Sequence, residues 1–205
     1  MNKISDNEIR AIVEKVVRRT MGEASLPTPA PAVTNVQAEV VSSAAPNASE
    51  KSYPKQNVVA IGSDHGGFDM KAALKKELAG QGYEIIDVGT DSKESCDYPD
   101  FAYAVAQLVS SGKAWRGIAI DGAGIGSCVT ANKVPGVRAG MAYDHATASN
   151  GREHNDTNVL TLGAGLIGQN LASQIVKIWL STEFGGGRHG KRVDKIIAIE
   201  KKFLK

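Results

Sequence analysis

The stretch from Arg116 to Lys133, RGIAIDGAGIGSCVTANK, decides the fold of this chain. It opens with an apolar run, Gly117-Ile118-Ala119-Ile120, which is too short for a helix and is bounded by glycine. Such a run predicts a strand that is buried on both faces of a parallel sheet. Asp121 and three glycines follow, and the remaining residues are compatible with a helix. The stretch therefore predicts a strand, a glycine loop and a helix, the repeating unit of an α/β protein.

The glycine loop of this stretch is a candidate ligand site. Open parallel sheets bind ligands beyond the carboxyl ends of their strands, and N–H groups of a glycine loop suit a phosphate or an oxyanion. Gly122, Gly124 and Gly126 are spaced G-x-G-x-G, whereas a dinucleotide fingerprint requires G-x-G-x-x-G. The alternative is that these glycines only let the strand and helix pack closely.

The sequence on both sides of this stretch alternates between strand and helix patterns. We predict further strands at 58–61, 83–88, 137–142 and 158–162. We predict helices at about 68–79, 98–110, 168–180 and 193–203, and a helical segment that runs toward Glu153. This alternation implies right-handed crossovers. The predicted fold of residues 57–205 is a three-layer α/β/α Rossmann-like domain with a five-stranded parallel sheet.

Bulk composition narrows the classes of function. The 205 residues include 24 basic and 22 acidic ones, and no block of like charge argues for nucleic acid or a membrane surface as a partner. The two cysteines, Cys96 and Cys128, argue against a disulfide framework and fit a reducing compartment. No apolar run reaches the about 18 residues of a membrane span, and the N-terminus lacks a secretory signal pattern. We therefore expect a cytoplasmic protein that binds neither membrane nor nucleic acid.

The first 56 residues are expected to lie outside the α/β domain. Residues 1–22 carry a capping box, Ser5 with Glu8, and then an apolar stripe at helical spacing. Residues 23–56 are rich in Pro, Ala, Ser and Thr without periodicity, which is typical of a flexible linker. We interpret this part as an amphipathic docking helix on a tether. The alternative is a helix that packs on its own domain.

Four polar clusters lie near the predicted ends of sheet elements. The segment 63–67, SDHGG, follows the first strand, and Asp121 with its glycines follows the third. The segment 152–156, REHND, precedes the fifth strand, so it lies at the opposite edge of the sheet or reaches in from a neighbouring subunit. In the segment 185–192, GGGRHGKR, Arg188 and Arg192 would share one face of a helix and could clamp a phosphate.

Each cluster also has a purely structural interpretation. Asp64 could cap the helix that follows it, and His65 and His154 could be satisfied surface residues. The segment 188–192 could be a solvated basic turn. Asp121 could accept N–H groups of its own loop alone, although a carboxylate after a buried strand is costly unless it is paired or functional. No histidine or cysteine pair in the sequence has metal-ligand spacing, so we predict no metal site.

An anion clamp, two histidines and a loop carboxylate together suit proton transfer on a sugar phosphate. Aldose–ketose isomerisation needs a base that carries a proton between C1 and C2 through an enediolate. It also needs donors for the developing oxyanion and an acid/base pair that opens the sugar ring. The reaction requires no cofactor, which agrees with the missing nucleotide and metal signatures.

Six motifs in order resemble the ribose-5-phosphate isomerase B family, which includes the galactose-6-phosphate isomerase subunits. They are GSDHGGF at 62–68, DYPD at 97–100, DGAGIG at 121–126, ANKVPGVRA at 131–139, REHNDTNVL at 152–160 and GGRHGKRVDKI at 186–196. The resemblance implies a cofactor-independent isomerase, with ribose 5-phosphate and ribulose 5-phosphate as the first sugars to expect. It also implies sites built across the interface of a homodimer or a higher homo-oligomer.

The resemblance assigns roles to individual residues of this chain. The catalytic positions are Asp121, His154, Asp64 and His65. The positions that hold the enediolate oxygens are Gly122, Gly124, Gly126 and Asn132. His154 is the ring-opening histidine, and Asn155 is its neighbour in the substrate site. The phosphate-binding positions are Arg188, His189 and Arg192.

The sequence departs from the family pattern at the position of the base. Asp121 replaces a cysteine, Ala123 replaces a threonine, and Ser127 lies where a second subgroup has a glutamate base. Asp121 could itself be the base, since carboxylates serve in that role and a partly dry pocket raises their pKa. Cys128, one turn into the helix, is interpreted as a core residue.

The departures leave two alternatives open. One is a non-catalytic subunit that binds a sugar phosphate or has a structural role. The other follows from Asp121, because an aspartate at the position of the cysteine resembles the A subunit of galactose-6-phosphate isomerase. That subunit works with a B subunit in a hetero-oligomer.

A second resemblance concerns the N-terminus. Residues 4–20 and the linker that follows resemble the encapsulation peptides that tether enzymes to bacterial microcompartments. This resemblance implies a shell protein as partner and a location inside a microcompartment.

Overall fold

The structure, a computed structural model, describes residues 56–203. The predicted N-terminal helix, residues 1–22, and nearly all of the predicted linker, residues 23–56, lie outside the described residues.

Five strands form one parallel sheet. They are β1 (Val58–Ser63), β2 (Glu84–Asp87), β3 (Arg116–Asp121), β4 (Ala139–Met141) and β5 (Val159–Gly163), in the spatial order β2-β1-β3-β5-β4. The central strand β3 pairs in parallel with β1 and β5, and every residue of these three strands is buried. Continuous burial explains the apolar runs that predicted the sheet.

Helices cover both faces of the sheet. They are α1 (Phe68–Gly80), α2 (Tyr98–Ser110), α3 (Ile125–Ala131), α4 (His145–Asn155), α5 (Gln169–Ser181) and α6 (Gly187–Phe203). One apolar core joins the strands to Leu74 and Leu78 of α1 and to Ile175 and Trp179 of α5. A second core, on the other face, contains Val105 and Ala106 of α2. The predicted three-layer α/β/α fold is confirmed.

Two elements differ most from the predicted bounds. Strand β4 has three residues instead of six, and before its start the backbone N–H of Arg138 binds the side-chain oxygen of Asn158 rather than a strand. Helix α6 begins at Gly187, six residues before the predicted start. The segment 188–192 is therefore the first part of a helix and not a turn.

A buried cation lies at the amino edge of the sheet. Arg116, the first residue of β3, donates to the backbone oxygens of Trp179 and Leu180 at the end of α5. Burial and the charge of Arg152 lower the pKa of the Arg116 guanidinium to about 10. The guanidinium remains charged near neutral pH, so it can neutralise the negative end of the helix dipole.

Candidate active site

The carboxyl ends of β1 and β3 bring two of the predicted site segments together. The N–H of Asp64 donates to the backbone oxygen of Ile120 at 3.3 Å, next to Asp121. Gly66 lies so close to the glycine loop that a Cβ on it would be 3.6 Å from the nitrogen of Gly122. Asp64, His65, Asp121 and the glycine loop therefore form one group, which we call the carboxyl-edge group.

Asp121 is held by the loop that it begins. Its Oδ1 accepts the N–H groups of Ala123 and Gly124, and its Oδ2 accepts the N–H of Ser127 at 2.8 Å. Burial alone would raise the pKa of Asp121, but the hydrogen bonds from Ser127, Gly124 and Ala123 hold it below the usual value of 3.8. The expectation that a dry pocket raises this pKa is wrong, because N–H donors outweigh desolvation here.

Two glycines of the loop are required by its geometry. Gly124 has φ of +78°, and a Cβ on it would lie 2.9 Å from the carbonyl carbon of Leu162. A Cβ on Gly126 would overlap the ring of Tyr98. The ring of Tyr98 thus covers the first turn of α3, and its 40 % exposure leaves it accessible beside the loop. Tyr98 was not predicted as a site residue, although the DYPD motif contains it.

The side chains of Asp64 and His65 have structural partners as well. Oδ1 of Asp64 accepts the N–H of Gly67 at 3.1 Å, so Asp64 caps the short 3₁₀ turn His65–Gly67, whereas the N-cap of the following helix α1 is Gly67. Nδ1 of the exposed His65 lies 3.2 Å from the backbone N and O of Cys96 and 4.0 Å from its Sγ. Cys96 is therefore a further neighbour of the site that the motifs did not reveal. Both residues keep their assigned roles as predictions.

The remaining predicted residues lie at the opposite edge of the sheet. Helix α4 starts beyond the carboxyl end of β4 and runs back, so His154 in its last turn reaches the amino edge. Immediately after it, the backbone oxygen of Asn158 accepts the N–H of Gly117, at the start of β3. The six residues of β3 span roughly 17 Å, and Asp121 is at their far end. The sequence left two placements open for the segment 152–156. Within a single chain, the segment lies at the edge of the sheet opposite to Asp121.

His154 lies in a second group, which we call the amino-edge group: His154, Asn155, Arg188, His189 and Arg192. The rings of His154 and His189 stack with centroids 4.1 Å apart and planes 4° from parallel. The N–H of Gly185 donates to the backbone oxygen of Glu153 and ties the start of α6 to the end of α4.

The amino-edge group is positively charged and exposed on one side. Burial, followed by repulsion from His154, Arg188 and Arg192, lowers the pKa of His189. Arg188 and Arg192, four residues apart on α6, are exposed. This arrangement suits a phosphate, whose charge would offset the repulsion.

The side chain of Asn132 makes contacts that its assigned role does not predict. At the end of α3, its side-chain amide accepts the N–H of Ala139 at 2.9 Å and donates to the oxygen of the same residue at 3.0 Å. It thus acts like a neighbouring strand for the exposed edge of β4. Its role at the enediolate stays a prediction.

Residues 56–203, the part that the structure describes, show no sign of a metal site or of a membrane-spanning helix. Within that range, no group of three or more His, Cys, Asp or Glu side chains is placed to hold a metal ion. In the same range, no helix has the length and apolar character that crossing a membrane requires.

Comparison with known proteins identifies the family of this chain. Residues 59–196 match the model of a family described as Ribose/Galactose Isomerase. A putative sugar phosphate isomerase of Bacillus subtilis is 50 % identical over 147 residues, which are 71 % of this chain and 99 % of that protein. The ribose-5-phosphate isomerase B of Escherichia coli is 44 % identical over 144 residues, 70 % of this chain and 97 % of that protein.

Solved structures show the same fold. The ribose-5-phosphate isomerase B of Clostridium thermocellum is 51 % identical and superposes with a TM-score of 0.70, over 71 % of this chain and 99 % of that one. The enzyme of Mycoplasma genitalium with bound ribulose-5-phosphate is 37 % identical, with a TM-score of 0.69, over 71 % of this chain and 97 % of that one.

Proposed function

This chain belongs to the ribose/galactose isomerase family, and we propose that it interconverts ribose 5-phosphate and ribulose 5-phosphate. The proton passes between C1 and C2 through an enediolate, without a cofactor. The proposal is supported by the relative in Escherichia coli and by the ribulose-5-phosphate bound in the Mycoplasma genitalium structure.

The observation that carries the proposal is the division of the site into two groups. The carboxyl-edge group offers carboxylates, a histidine and a glycine loop, which suit the reacting carbons. The amino-edge group offers a histidine and two arginines, which suit ring opening and phosphate binding. Neither group alone contains the functions that isomerisation requires.

We propose that two copies of the chain complete the site, because the two groups lie roughly one strand length, about 17 Å, apart. A two-fold axis would place the amino-edge group of each copy against the carboxyl-edge group of the other, and so form two equivalent sites. Helix α6 exposes apolar side chains that suit such an interface: Ile196 at 46 %, Ile199 at 60 % and Phe203 at 71 % exposure. Val193 of the same helix is buried in its own chain.

Asp121 is the residue proposed to take the proton from the substrate. Its hydrogen bonds oppose that role, since a carboxylate with three N–H donors is a weak base. Substrate binding would have to release at least one of these donors. The same observation favours the second candidate function, a subunit that binds a sugar phosphate without turning it over, or that works with a second subunit type in a hetero-oligomer.

The experiment that tests the function uses the purified protein alone. Interconversion is measured on ribose 5-phosphate and then on hexose 6-phosphates, with Asp121→Asn beside the wild type. Turnover by the wild type alone supports a self-sufficient isomerase. Loss of turnover in the variant is expected whether Asp121 is the base or only orders the loop, and turnover that persists refutes this base. Binding of the sugar phosphate without any turnover would refute the enzyme and favour the binding subunit.

We further propose three parts for the whole chain: a targeting helix at 1–22, a linker at 23–56 and the isomerase domain at 57–205. Residues 4–20 would bind a shell protein and direct the enzyme into a bacterial microcompartment. Deletion of residues 1–50 should leave a folded, active domain that no longer co-purifies with shells. Shell association that survives the deletion would overturn this part of the proposal.

A further inference from the structure

A side chain outside all six motifs contacts the predicted ring-opening histidine. We infer that Asn150 is a positioning residue that holds neutral His154 with its proton on Nε2, ready for transfer to the ring oxygen of a closed sugar. The inference rests on the proposed function, since that function gives His154 a proton to transfer.

The contact lies on one face of α4. Nδ2 of Asn150 is 2.8 Å from Nδ1 of His154, four residues later. Residues four apart on a helix are neighbours, so the pair needs no rearrangement of the backbone.

A third residue fixes which way the amide of Asn150 faces. Nδ2 of Asn155 lies 3.2 Å from the backbone oxygen of Asn150 and 3.2 Å from its Oδ1. A backbone oxygen only accepts hydrogen bonds, so the atom of Asn155 at this place has to be the NH₂ donor. The same NH₂ then faces Oδ1 of Asn150, which leaves the NH₂ of Asn150 for the histidine.

The direction of this hydrogen bond fixes the tautomer of His154. The NH₂ of Asn150 can only donate, so Nδ1 of the ring has to accept. In a neutral imidazole the single proton is then on Nε2. Oε1 of Glu153 is 3.8 Å from that atom, beyond hydrogen-bonding distance, so it does not hold the proton.

The ring orientation has a second support. His189, which is 8 % exposed, stacks on the face of the His154 ring. Asn150 holds the ring at one edge and His189 holds its face, so Nε2 has a defined direction out of the amino-edge group.

Proton delivery from Nε2 suits ring opening, which is the step that only the closed form of the aldose needs. In the furanose form of ribose 5-phosphate, ring opening breaks the bond between C1 and the ring oxygen, which takes a proton. The C1 hydroxyl loses its proton to a base, and the carbonyl forms at C1. Ribulose 5-phosphate is open-chain, because its C5 oxygen carries the phosphate and closure through the C4 oxygen would make a four-membered ring.

The first test measures the tautomer directly, by ¹⁵N NMR of the imidazole nitrogens in full-length protein at a pH where the ring is neutral. In the wild type and in the control Ser149→Ala we expect the protonated-nitrogen shift on Nε2. In Asn150→Asp the carboxylate can only accept, so the proton should move to Nδ1. The same tautomer in wild type and Asn150→Asp, or a proton on Nδ1 in the wild type, would overturn the inference.

The second test separates ring opening from proton transfer at the carbons. With ribose 5-phosphate, Asn150→Leu should lower kcat about tenfold with KM little changed, since general-acid catalysis contributes about 10²–10⁴-fold and only its orientation is impaired. Exchange of the C1 hydrogen of ribulose 5-phosphate with solvent should fall by a much smaller factor. Equal losses in both assays would refute a role in ring opening.

Failure of the proposed function can be distinguished from failure of the inference about Asn150. If the wild type neither isomerises ribose 5-phosphate nor exchanges the C1 hydrogen, the proposed function fails. The NMR comparison still decides whether Asn150 sets the tautomer. Ser149→Ala controls for changes to α4, because its hydroxyl binds only the backbone oxygen of Ala146 in the same helix.

Discussion

Asp121 accepts the backbone N–H of Ser127 at 2.8 Å, across the first turn of α3. Ala123 also donates its N–H to Asp121, and the resemblance implies that Asp121, Ala123 and Ser127 all depart from the family pattern. Hydrogen bonds therefore join Ala123 and Ser127 to Asp121. The carboxylate in this site organises the loop whose N–H groups are expected to face the substrate.

Replacement of Asp121 by asparagine tests this arrangement. An amide offers one acceptor oxygen instead of two, so at least one N–H of the loop loses its partner. We expect the free energy of unfolding to fall by about 1–3 kcal/mol, measured by chemical denaturation. Turnover should fall by at least about 10²-fold.

Asp69→Asn is the matched control for that substitution. The ion pair of Asp69 with Lys93 is solvent-exposed on both sides, with side-chain exposures of 78 % and 65 %. Such pairs contribute little. An equal loss of stability in both variants would contradict an organising role for Asp121.

The proposed division of the site across two copies predicts complementation. We expect Asp121→Asn and Arg188→Ala homodimers to be inactive. When the two proteins are unfolded together and refolded, half of the dimers are mixed and each has one intact site. Activity should return to about a quarter of the wild-type value.

The control for complementation is a mixture that cannot form an intact site. Asp121→Asn refolded with Asp121→Asn/Arg188→Ala should stay inactive. Absence of recovery in the first mixture, with dimers present by size-exclusion chromatography, would mean that each site is built within one chain.

Gly124→Ala tests the left-handed backbone of the loop. The φ of +78° and the close carbonyl of Leu162 leave no room for a methyl group. We expect a loss of about 1–3 kcal/mol in the free energy of unfolding and a large loss of turnover. The matched control is Gly168→Ala, because that glycine has φ of −78° and nothing within 4 Å of a Cβ.

The pKa of His189 predicts a dependence of stability on pH. Burial and its cationic neighbours lower this pKa below 6.5 in the folded chain, so the unfolded chain binds a proton first as the pH falls. Stability that is present above pH 6.5 should decline as the pH falls below that value. The decline should be smaller in His189→Gln, measured by thermal unfolding between pH 8 and pH 5.5.

Inorganic phosphate gives an independent check of the same group. An anion at Arg188 and Arg192 would offset the repulsion that His189 feels, so phosphate should reduce the decline of the wild type more than that of His189→Gln. An identical pH profile in both proteins, with and without phosphate, would contradict the pKa direction.

Much of the architecture could be predicted because local patterns and buried strands dominate it. The bounds of α2, Tyr98–Ser110, were predicted correctly, since Pro99 and the apolar spacing mark the helix. The start of α6 was missed because glycines lower helix propensity, and contact with α4 overrides this. Asn150 and Cys96 were missed because they lie outside the motif positions to which the resemblance assigns roles.

By itself, the sequence determined the strand Arg116–Asp121 and the order of strands and helices, because periodicity is a local property, and its motifs supplied the residues that are predicted to have chemical roles. Only the tertiary structure decided how these residues are grouped. The strand order and the return direction of α4 place His154 and Asp121 at opposite edges of the sheet. The pKa of Asp121 was decided in the same way, because three N–H groups converge on it only after β3 and α3 have folded.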